Sequence, residues 1–563
     1  MLSVASLAHE RFGPVSVCQP WREKIIGYLP QSMQSGVVAA YLRIENDRGY
    51  VEANRALYRI RRAVVDPDVL KCGDFRLTND EDALRDWAES RAAGVERAES
   101  RAGTEVAMAK AVGWCEFYDF DPLESNDLFG MLARYKDAKW WKRQMRVKQA
   151  RVIDQLGRDL GLVNKRRQIY LTDEAYSIKR LARKRNRLLL ERLEAENQHG
   201  QTFTLAELAD KSISKPEIRR TELMVRLRGF EEVADQLGHV ADFITITCPS
   251  KYHSSLINGA QNPKYQGFTP RQANDYLCSV FDSVRKALGR DGVRIYGFRI
   301  VEPHHDGCPH WHLLLFMRQS DLMHVRKTIS RFALAVDGNE PGARQRRVTF
   351  ERINKEKGSA VGYVAKYVAK NIDGLNVELD SYGEDAIRSA KRIVEWASVW
   401  GLRQFQQVGG PEVGPWREMR RVTEEKLQEW SQVLRTCGEL VPELAEKVRQ
   451  AADSANWAAY VLLQGGPMLP RKDRPIKLLM MTAPETDPLR RVDRSTGEYR
   501  TEKHGVYGDL LKRVKGVLVQ GVIVVSRWYT WTVKPVRAGF EGLSGASAPP
   551  WTRVNNCPVV ATG

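Results

Sequence analysis

The feature that most constrains the fold is a histidine-rich segment, VEPHHDGCPHWHLLLF, which runs from Val301 to Phe316. Apolar residues dominate its second half, and the dipeptide Asp306-Gly307 lies near its middle. An Asp-Gly pair between two strand-like runs favours a tight turn, so the segment predicts a β-hairpin centred on Asp306. Four of the ten histidines of the chain fall within this hairpin, namely His304, His305, His310 and His312.

The alternation of side chains along a strand places His310 and His312 on one face of the sheet and Trp311 on the other. In a hairpin centred on Asp306, Glu302 lies directly across from His310, and its carboxylate shares the face of the histidines. A register shift of one residue would turn Glu302 to the other face. Two imidazoles and one carboxylate form a candidate site for a divalent metal, with coordination positions open for substrate oxygens.

The hairpin alone does not decide whether this cluster binds a metal, or which metal it would bind. Two strand histidines are often hydrogen-bonded core residues, and a set of two histidines and one carboxylate also occurs in non-haem iron oxygenases. Cys308, close to His310, would even suit zinc. We interpret His304 and His305, which precede the turn, as loop residues or DNA contacts and not as metal ligands.

The composition indicates a protein with a polyanionic partner. The 563-residue chain has a formal net charge of +18 and a pI near 9.5, which favours nucleic acid over a membrane surface. Its eight cysteines are scattered, without a CxxC pair, which argues against a disulfide framework or a zinc ribbon and suits the reducing cytoplasm. Neither a signal peptide nor a membrane span is predicted, so we expect a soluble cytoplasmic protein.

Changes in composition divide the chain into four regions. Residues 1–130 mix acidic and polar segments and show no motif that assigns a role. Residues 131–235 are predicted to be helical and strongly basic. Residues 236–421 alternate strands with helices, and several strands are joined as antiparallel hairpins, which indicates an α+β domain. Residues 422–563 are predicted to form a helical region and a flexible tail.

The basic helical region predicts a DNA-binding surface. Two basic helices follow one another, and Trp140 and Trp141 interrupt the first run of cations, a combination that favours a phosphate-contacting face over a merely solvated one. The cations that we expect to contribute are Lys139, Lys142, Arg143, Arg146, Lys184 and Arg185.

A second motif, GYVAKYVAKN, runs from Gly362 to Asn371. At the spacing of an α-helix, one face holds Tyr363, Lys366, Tyr367 and Lys370. The other face holds Val364, Ala365, Val368, Ala369 and Ile372 and is predicted to pack against the sheet. A phenol can act as a nucleophile, and a lysine beside it can favour the phenolate and screen a phosphate.

The hairpin and this helix together resemble the bacteriophage gene A type of replication initiator, within the HUH endonucleases of rolling-circle replication. Three segments match in order, and they are FITITCPS at 243–250, GFRIVEPHHDGCPHWHLLLF at 297–316 and YVAKYVAKN at 363–371. The resemblance extends over roughly residues 130–425.

The resemblance implies an HUH-endonuclease core, with an antiparallel sheet flanked by helices, and a mechanism. His310 and His312 would bind Mg²⁺ or Mn²⁺, and Glu302 is the candidate third ligand from the hairpin register. A tyrosine would attack a phosphate of single-stranded or extruded origin DNA, form a 5′-phosphotyrosyl link and release a 3′-hydroxyl that primes replication. A later attack would rejoin strands. A host helicase and a DNA polymerase are the expected protein partners.

Two other classes of protein remain open from the residues alone. One is a metal-dependent, oxygenase-like enzyme, which would leave the basic helices and the paired tyrosines without a purpose. The other is a non-catalytic origin-binding protein, which would not explain the histidine hairpin or the tyrosine helix. If the initiator interpretation holds, Lys366 and Lys370 give both tyrosines similar settings, so Tyr363 and Tyr367 are expected to be interchangeable as nucleophiles.

Overall fold

A computed structural model of the chain describes residues 19–27, 29, 31–64, 81–125, 127–354, 356, 359–373, 385–482 and 503–536. Within these residues the protein is α+β, with three antiparallel sheets, and the predicted α+β class is confirmed. The tail that was predicted to be flexible falls in residues 537–563, which lie outside the described part of the chain.

The amino-terminal part of the described chain is mainly helical. Its helices are α1 Gln19–Gly27, α2 Gln31–Arg48, α3 Tyr50–Val64, α4 Glu81–Tyr118, α5 Leu128–Tyr135, α6 Ala138–Asp159 and α7 Asp173–Glu191. Two short strands, β1 Leu193–Asn197 and β2 Thr202–Thr204, and two helices, α8 Leu205–Asp210 and α9 Pro216–Gln236, lead into the central sheet.

Helices α4, α5 and α6 share an aromatic core. Trp141 is fully buried and donates its indole N–H to the carbonyl oxygen of Tyr135 at 2.7 Å. The ring of Trp140 contacts Trp141 edge-on, and Trp87 of α4 packs against the same cluster. The interpretation of Trp140 and Trp141 as part of a DNA-binding face is therefore wrong, because packing against α4 buries both indoles.

Five strands form the central sheet in the order β6-β3-β5-β4-β7, and every neighbouring pair is antiparallel. The strands are β3 His239–Thr247, β4 Tyr296–Pro303, β5 Pro309–Arg318, β6 Val348–Arg352 and β7 Phe405–Val408. The helices between them are α10 Pro270–Arg290, α11 Leu322–Ala333, α12 Ala343–Arg346, α13 Ala360–Ile372 and α14 Ala386–Trp400, with short 3₁₀ turns at Ser250–Tyr252 and Gln319–Asp321. The predicted alternation of strands with helices, several strands being joined as antiparallel hairpins, is confirmed in residues 239–408 as far as the structure describes them.

Helices cover both faces of the central sheet. On one face Trp311, Leu313 and Leu315 of β5 pack into a core that includes residues of α10 and α14. On the other face Leu314 and Phe316 pack with residues of α9 and α13. Because successive side chains of a strand point to opposite faces, a strand covered on both sides is apolar throughout, as the run LLLF shows.

The helical prediction for the carboxyl-terminal region is correct only for its first part. The helices are α15 Val413–Met419, α16 Glu424–Thr436, α17 Glu443–Asp453 and α18 Trp457–Leu463, followed by a 3₁₀ turn at Arg471–Asp473. A sheet with the order β10-β9-β8 follows, with β8 Ile476–Thr482, β9 Lys512–Val519 and β10 Val522–Val525, and β11 Trp531–Pro535 pairs with β1.

The sequence GVLVQGVIVV is typical of a β-hairpin and could have predicted the one that β9 and β10 form. Gln520 and Gly521 connect the strands, and both have positive φ, at 47° and 91°. Two consecutive residues in this conformation match the right-handed twist of a hairpin, and the flanking β-branched residues favour strands. Among the described helices, none combines the length and the apolar character needed to cross a membrane.

Candidate metal and tyrosine site

The histidine-rich segment forms the predicted hairpin with the predicted register. Glu302 pairs with His310 across β4 and β5, and the strands turn through residues 304–308. The turn is closed by the backbone N–H of Gly307, which donates to the carbonyl oxygen of His304 at 2.7 Å. The φ of Gly307 is 74°, a left-handed value that glycine adopts without strain. The Asp-Gly dipeptide therefore determined the register correctly.

Glu302, His310 and His312 converge on one point. Oε2 of Glu302 lies 3.4 Å from Nε2 of His312 and 3.8 Å from Nε2 of His310, and one ligand atom from each residue lies within 4.8 Å of the others. All three residues are buried. On the far side of His312, Nδ1 hydrogen-bonds to Oγ1 of Thr245 at 2.9 Å. This bond orients the imidazole so that Nε2 points to the carboxylate.

The protonation states of Glu302 and His310 suit a divalent cation. Burial would raise the pKa of Glu302, but its hydrogen bond with His312 and the charge of Lys370 lower it to about 2, so the carboxylate is ionised. Burial, with the nearby His304, holds the pKa of His310 well below its ordinary value, so that imidazole is neutral. Neutral imidazoles and an ionised carboxylate are the forms that bind metals, and the residues present therefore fit Mg²⁺ or Mn²⁺.

Cys308 does not join this cluster. Its thiol is buried, it lies 3.9 Å from the carbonyl oxygen of Pro309, and burial raises its pKa well above the ordinary range. A zinc ligand would have to be a thiolate. Of the residues that the structure describes, the only group placed to hold a metal consists of Glu302, His310 and His312, which leaves the zinc interpretation without support.

Tyr367 lies directly beside the histidine cluster. Its ring centroid is 4.4 Å from that of His312 and 5.1 Å from that of Phe243. Burial, with the negative charges of Glu302 and Glu351, raises the pKa of Tyr367 to about 12. The phenol is therefore protonated at rest, and it needs a change in its electrostatic surroundings to become a strong nucleophile.

Tyr363 has a different environment one turn earlier on α13. Its hydroxyl donates a hydrogen bond to the carboxylate of Glu351 on β6, and this contact raises the pKa of Tyr363. Of the two, Tyr367 is the one whose ring contacts a cluster histidine among the ring contacts of the described residues. The structure therefore brings the two predicted tyrosines to one helix face but gives them separate partners.

The apolar face of α13 packs against the sheet as predicted, since Val364 and Val368 share a core with residues of β3, β4 and β5, but polar residues of the helix reach the sheet as well. Nζ of Lys370 lies 3.5 Å from Oε2 of Glu302, and the amide nitrogen of Asn371 donates to the other carboxylate oxygen. Lys370 thus pairs with the candidate metal ligand, whereas the sequence placed it beside a phenol. The side chain of Lys366 lies outside the described part of the structure.

Several residues around the cluster make contacts that the sequence did not predict. The ring of His304 lies 4.1 Å from that of His310 and 5.0 Å from that of His253. Asp306 is buried and accepts hydrogen bonds from His253 Nδ1 and the backbone N–H of Ser254. His305 is buried too, so it is not exposed for DNA contact. The Asn that ends the YVAKYVAKN motif was an available signal for Asn371, whereas nothing local pointed to His253.

Three of the six cations predicted to contact DNA share one carboxylate. Lys142 and Arg185 lie 3.2 Å and 3.1 Å from Glu81 at the start of α4, and Arg146 also forms an ion pair with it. These contacts join α6 and α7 to α4 and partly neutralise the predicted surface. A role of these cations in DNA binding stays a prediction.

The fold and the site together define an α+β protein that carries a candidate metal cluster and a tyrosine helix on one face of an antiparallel sheet. Residues 108–375 match the family model described as bacteriophage replication gene A protein. The chain belongs to the bacteriophage replication gene A protein family.

Similar curated proteins come from phages and from a bacterial genome. The chain is 37% identical over 430 residues to the replication gene A protein of Escherichia phage 186, which covers 74% of this chain and 58% of that protein. It is 33% identical over 465 residues to the replication protein of Haemophilus phage HP1, with coverage of 79% and 55%. It is 34% identical over 442 residues to a probable replication endonuclease from a prophage-like region of Salmonella paratyphi A, with coverage of 76% and 52%.

The matched region spans less than two thirds of the length of these relatives, between 52% and 58% of each. No solved structure matches the chain significantly.

Proposed function

We propose that this protein initiates phage DNA replication by nicking one strand of an origin through attack of a tyrosine on a phosphodiester. The observation that carries the proposal is the position of Tyr367, whose ring lies 4.4 Å from the ring of His312 in the candidate metal cluster. The names of the relatives, which include a replication gene A protein and a probable replication endonuclease, support the same activity.

The proposed reaction exchanges one ester bond for another. The phenolic oxygen of the tyrosine attacks the scissile phosphorus and loses its proton to solvent, while the bond from phosphorus to the 3′ oxygen breaks. The departing oxygen takes up a proton and becomes a 3′-hydroxyl, and the phosphate stays on the tyrosine as a 5′-phosphotyrosyl link. Because the phosphoester is retained, attack by a 3′-hydroxyl on this link would rejoin strands without a further energy source.

The residues of the chain have distinct parts in this proposal. Glu302, His310 and His312 would hold Mg²⁺ or Mn²⁺, which when bound supplies positive charge that polarises the phosphate. Thr245 orients His312 through its hydrogen bond to Nδ1. The ammonium of Lys370 lies at the same carboxylate and adds positive charge where the phosphate has to enter.

Other parts of the proposal follow from the chemistry of the products. The 3′-hydroxyl would be extended by a host DNA polymerase, and a host helicase would open the duplex ahead of it during rolling-circle replication in the host cytoplasm. A tyrosine packed on the cluster supports this function over a non-catalytic origin-binding protein. The replication names of the relatives support it over an oxygenase-like enzyme.

The test is covalent capture of DNA. We would incubate the protein with single-stranded DNA that spans the phage origin and Mg²⁺, and separate the products on a denaturing gel. The wild type is expected to form a denaturant-resistant adduct. The His310→Ala, His312→Ala and doubly substituted Tyr363→Phe/Tyr367→Phe variants are expected to form none, while their binding to DNA is largely retained, since phosphate contacts come mostly from Lys and Arg.

Two matched substitutions serve as controls. His324→Ala removes an exposed histidine of α11, and Tyr58→Phe removes an exposed hydroxyl of α3, so both variants should form the adduct at the wild-type rate. A chelator should prevent the adduct in every variant. Full adduct in the double tyrosine variant would place the nucleophile elsewhere, and nicking at the wild-type rate by either histidine variant would show that the metal site is misassigned.

A further inference from the structure

A basic groove lies at the carboxyl end of the tyrosine helix. It runs between α7 and α14, has a volume of about 740 Å³ and includes Ile372, the last residue of α13, in its wall. We propose that this groove binds the sugar-phosphate backbone of the DNA strand next to the phosphate that is attacked at Tyr367. The inference rests on the proposed function, since it follows the same strand away from the same site.

Cations outnumber carboxylates in this groove. Its lining contains five arginine or lysine side chains and three carboxylates. Two of the carboxylates are paired with cations of the same lining, because Glu395 forms an ion pair with Arg183 and Asp173 lies 2.6 Å from Nη1 of Arg392. The third, Asp385, caps the amino end of α14 through a backbone hydrogen bond. Each of the three carboxylates of the groove therefore already has a partner within the protein.

Three exposed cations remain on the rim, and they are Arg180, Arg388 and Lys391. Among the contacts recorded for the described residues, none pairs the side chain of any of these three with a carboxylate. Exposed cations without acidic partners on both walls of one groove are the arrangement that contacts phosphates along a strand.

Two further cations interact with Arg183, which lines the groove. Burial, together with repulsion from Arg183, lowers the pKa of Arg219, and Nε of Arg219 is buried without a hydrogen-bond partner in the described structure. Burial, with Arg151 and Arg183, likewise lowers the pKa of Lys179 despite the nearby Glu395. A polyanion in the groove would relieve this repulsion and stabilise the charged forms of these side chains.

The groove and the proposed nucleophile share helix α13. Tyr367 and Ile372 are five positions apart on one helix, which corresponds to about 7.5 Å along its axis. A strand with a spacing of about 3.4 Å per nucleotide covers this distance in roughly two nucleotides. The phosphates that follow the attacked one would therefore pass along Arg180, Arg388 and Lys391.

Equilibrium binding tests the groove without chemistry. In the full chain carrying Tyr363→Phe and Tyr367→Phe, we would measure binding of fluorescent oligothymidylate over a range of salt concentrations, with and without Arg180→Gln, Arg388→Gln and Lys391→Gln. The triple variant is expected to bind about ten-fold more weakly at low salt. Its plot of log K against log salt should be shallower by about 2, because each contact with a single-strand phosphate contributes about 0.7 to the slope.

A matched variant separates the groove from general charge. Arg285→Gln, Lys286→Gln and Arg290→Gln remove the same charges from exposed positions of α10 that do not line the groove, and the slope should stay at the parent value. The charge-conserving pair Arg180→Lys and Arg388→Lys should also keep the slope, which distinguishes lost contacts from a damaged fold.

Three outcomes would overturn the inference. They are an unchanged slope in the groove variant, equal losses in both triple variants, and complete displacement of the oligonucleotide by thymidine monophosphate, which would indicate a mononucleotide pocket. The proposed function is tested separately, by whether the wild-type protein forms the covalent adduct. A wild type that forms no adduct but binds DNA through the groove would refute the nicking reaction and leave the groove assignment intact.

Discussion

At the scale of single residues, the two tyrosines of α13 differ in the contacts that each hydroxyl would have to break before it attacks a phosphate. Tyr363 would have to give up its hydrogen bond to Glu351, a carboxylate on β6 that raises its pKa. Tyr367 is already packed between Phe243 and His312 and faces the charge of Glu302. A cation bound at Glu302 would offset that charge, which favours the phenolate of Tyr367 over that of Tyr363.

We therefore predict unequal single variants, in contrast to the equivalence suggested by the repeated lysines. Tyr367→Phe should slow formation of the first adduct more than ten-fold, about 1.4 kcal/mol in the barrier, because it removes the hydroxyl that lies at the cluster. Tyr363→Phe should form the first adduct at close to the wild-type rate and fail later, in repeated cutting and rejoining. Single-turnover assays with origin DNA measure both rates.

The controls for this comparison keep the ring and its packing. Tyr58→Phe reports any general effect of losing a phenol, since Tyr58 is exposed on α3. Equal slowing in the two single variants would show that the tyrosines interchange, as the sequence pattern suggests, and that the contact with His312 does not select the nucleophile.

At the scale of elements, the position of the tyrosine helix depends on how α13 begins. Oγ of Ser359 accepts a hydrogen bond from the backbone N–H of Gly362 at 3.0 Å. Glu231 of α9 accepts from the N–H of Ala360 at 2.5 Å. Both acceptors satisfy amides that have no partner within the helix, and the carboxylate also interacts favourably with the helix dipole. The apolar face, with Val364 and Val368, then packs into the core shared with α9.

Ser359→Ala should destabilise the protein by about 1 kcal/mol, the usual effect of losing a serine cap. The measurement is the midpoint of urea denaturation followed by tryptophan fluorescence. Ser283→Ala is the matched control, because Ser283 lies inside α10 and its hydroxyl donates to the carbonyl of Ser279 one turn earlier in the same helix. An unchanged midpoint for Ser359→Ala would show that Glu231 alone holds the start of α13.

At the scale of the whole molecule, a buried network ties the hairpin turn to helices that are distant in sequence. Asp154 of α6 is fully buried and accepts from Arg158, from the backbone N–H of Thr172 and from the indole of Trp400. Arg158 in turn donates to the carbonyl oxygens of Asp306 and Tyr170. The turn that sets the register of the histidines is thus held from outside the sheet.

Asp154→Ala should lower the free energy of unfolding by about 3–5 kcal/mol, because it leaves the buried guanidinium of Arg158 without its carboxylate. The same variant should form less covalent adduct, since the turn loses an anchor. Denaturation midpoints and adduct yield are the measurements. Asp282→Ala, an exposed position on α10, is the control and should change the stability by less than about 0.5 kcal/mol. A loss of stability no larger than that of the control would show that Arg158 finds other partners.

Several features of the fold and the candidate site could be predicted from local sequence pattern. The Asp-Gly turn and the two-residue period of strands placed Glu302 opposite His310 and put His310 and His312 on one face. The helical period placed Tyr363 and Tyr367 on one side of α13. These rules act over a few residues, so the local sequence was sufficient to predict the hairpin register and the helix face.

Which residues pack against these strand and helix faces depended on the tertiary structure. Trp140 and Trp141 became core residues because α4 packs on α6, and Lys370 became a partner of Glu302 because α13 packs over the strands that carry the cluster. The pairing of β1 with β11 joins segments more than 300 positions apart. Such contacts arise from burying apolar surface between elements distant in sequence, and no local period encodes which elements will meet.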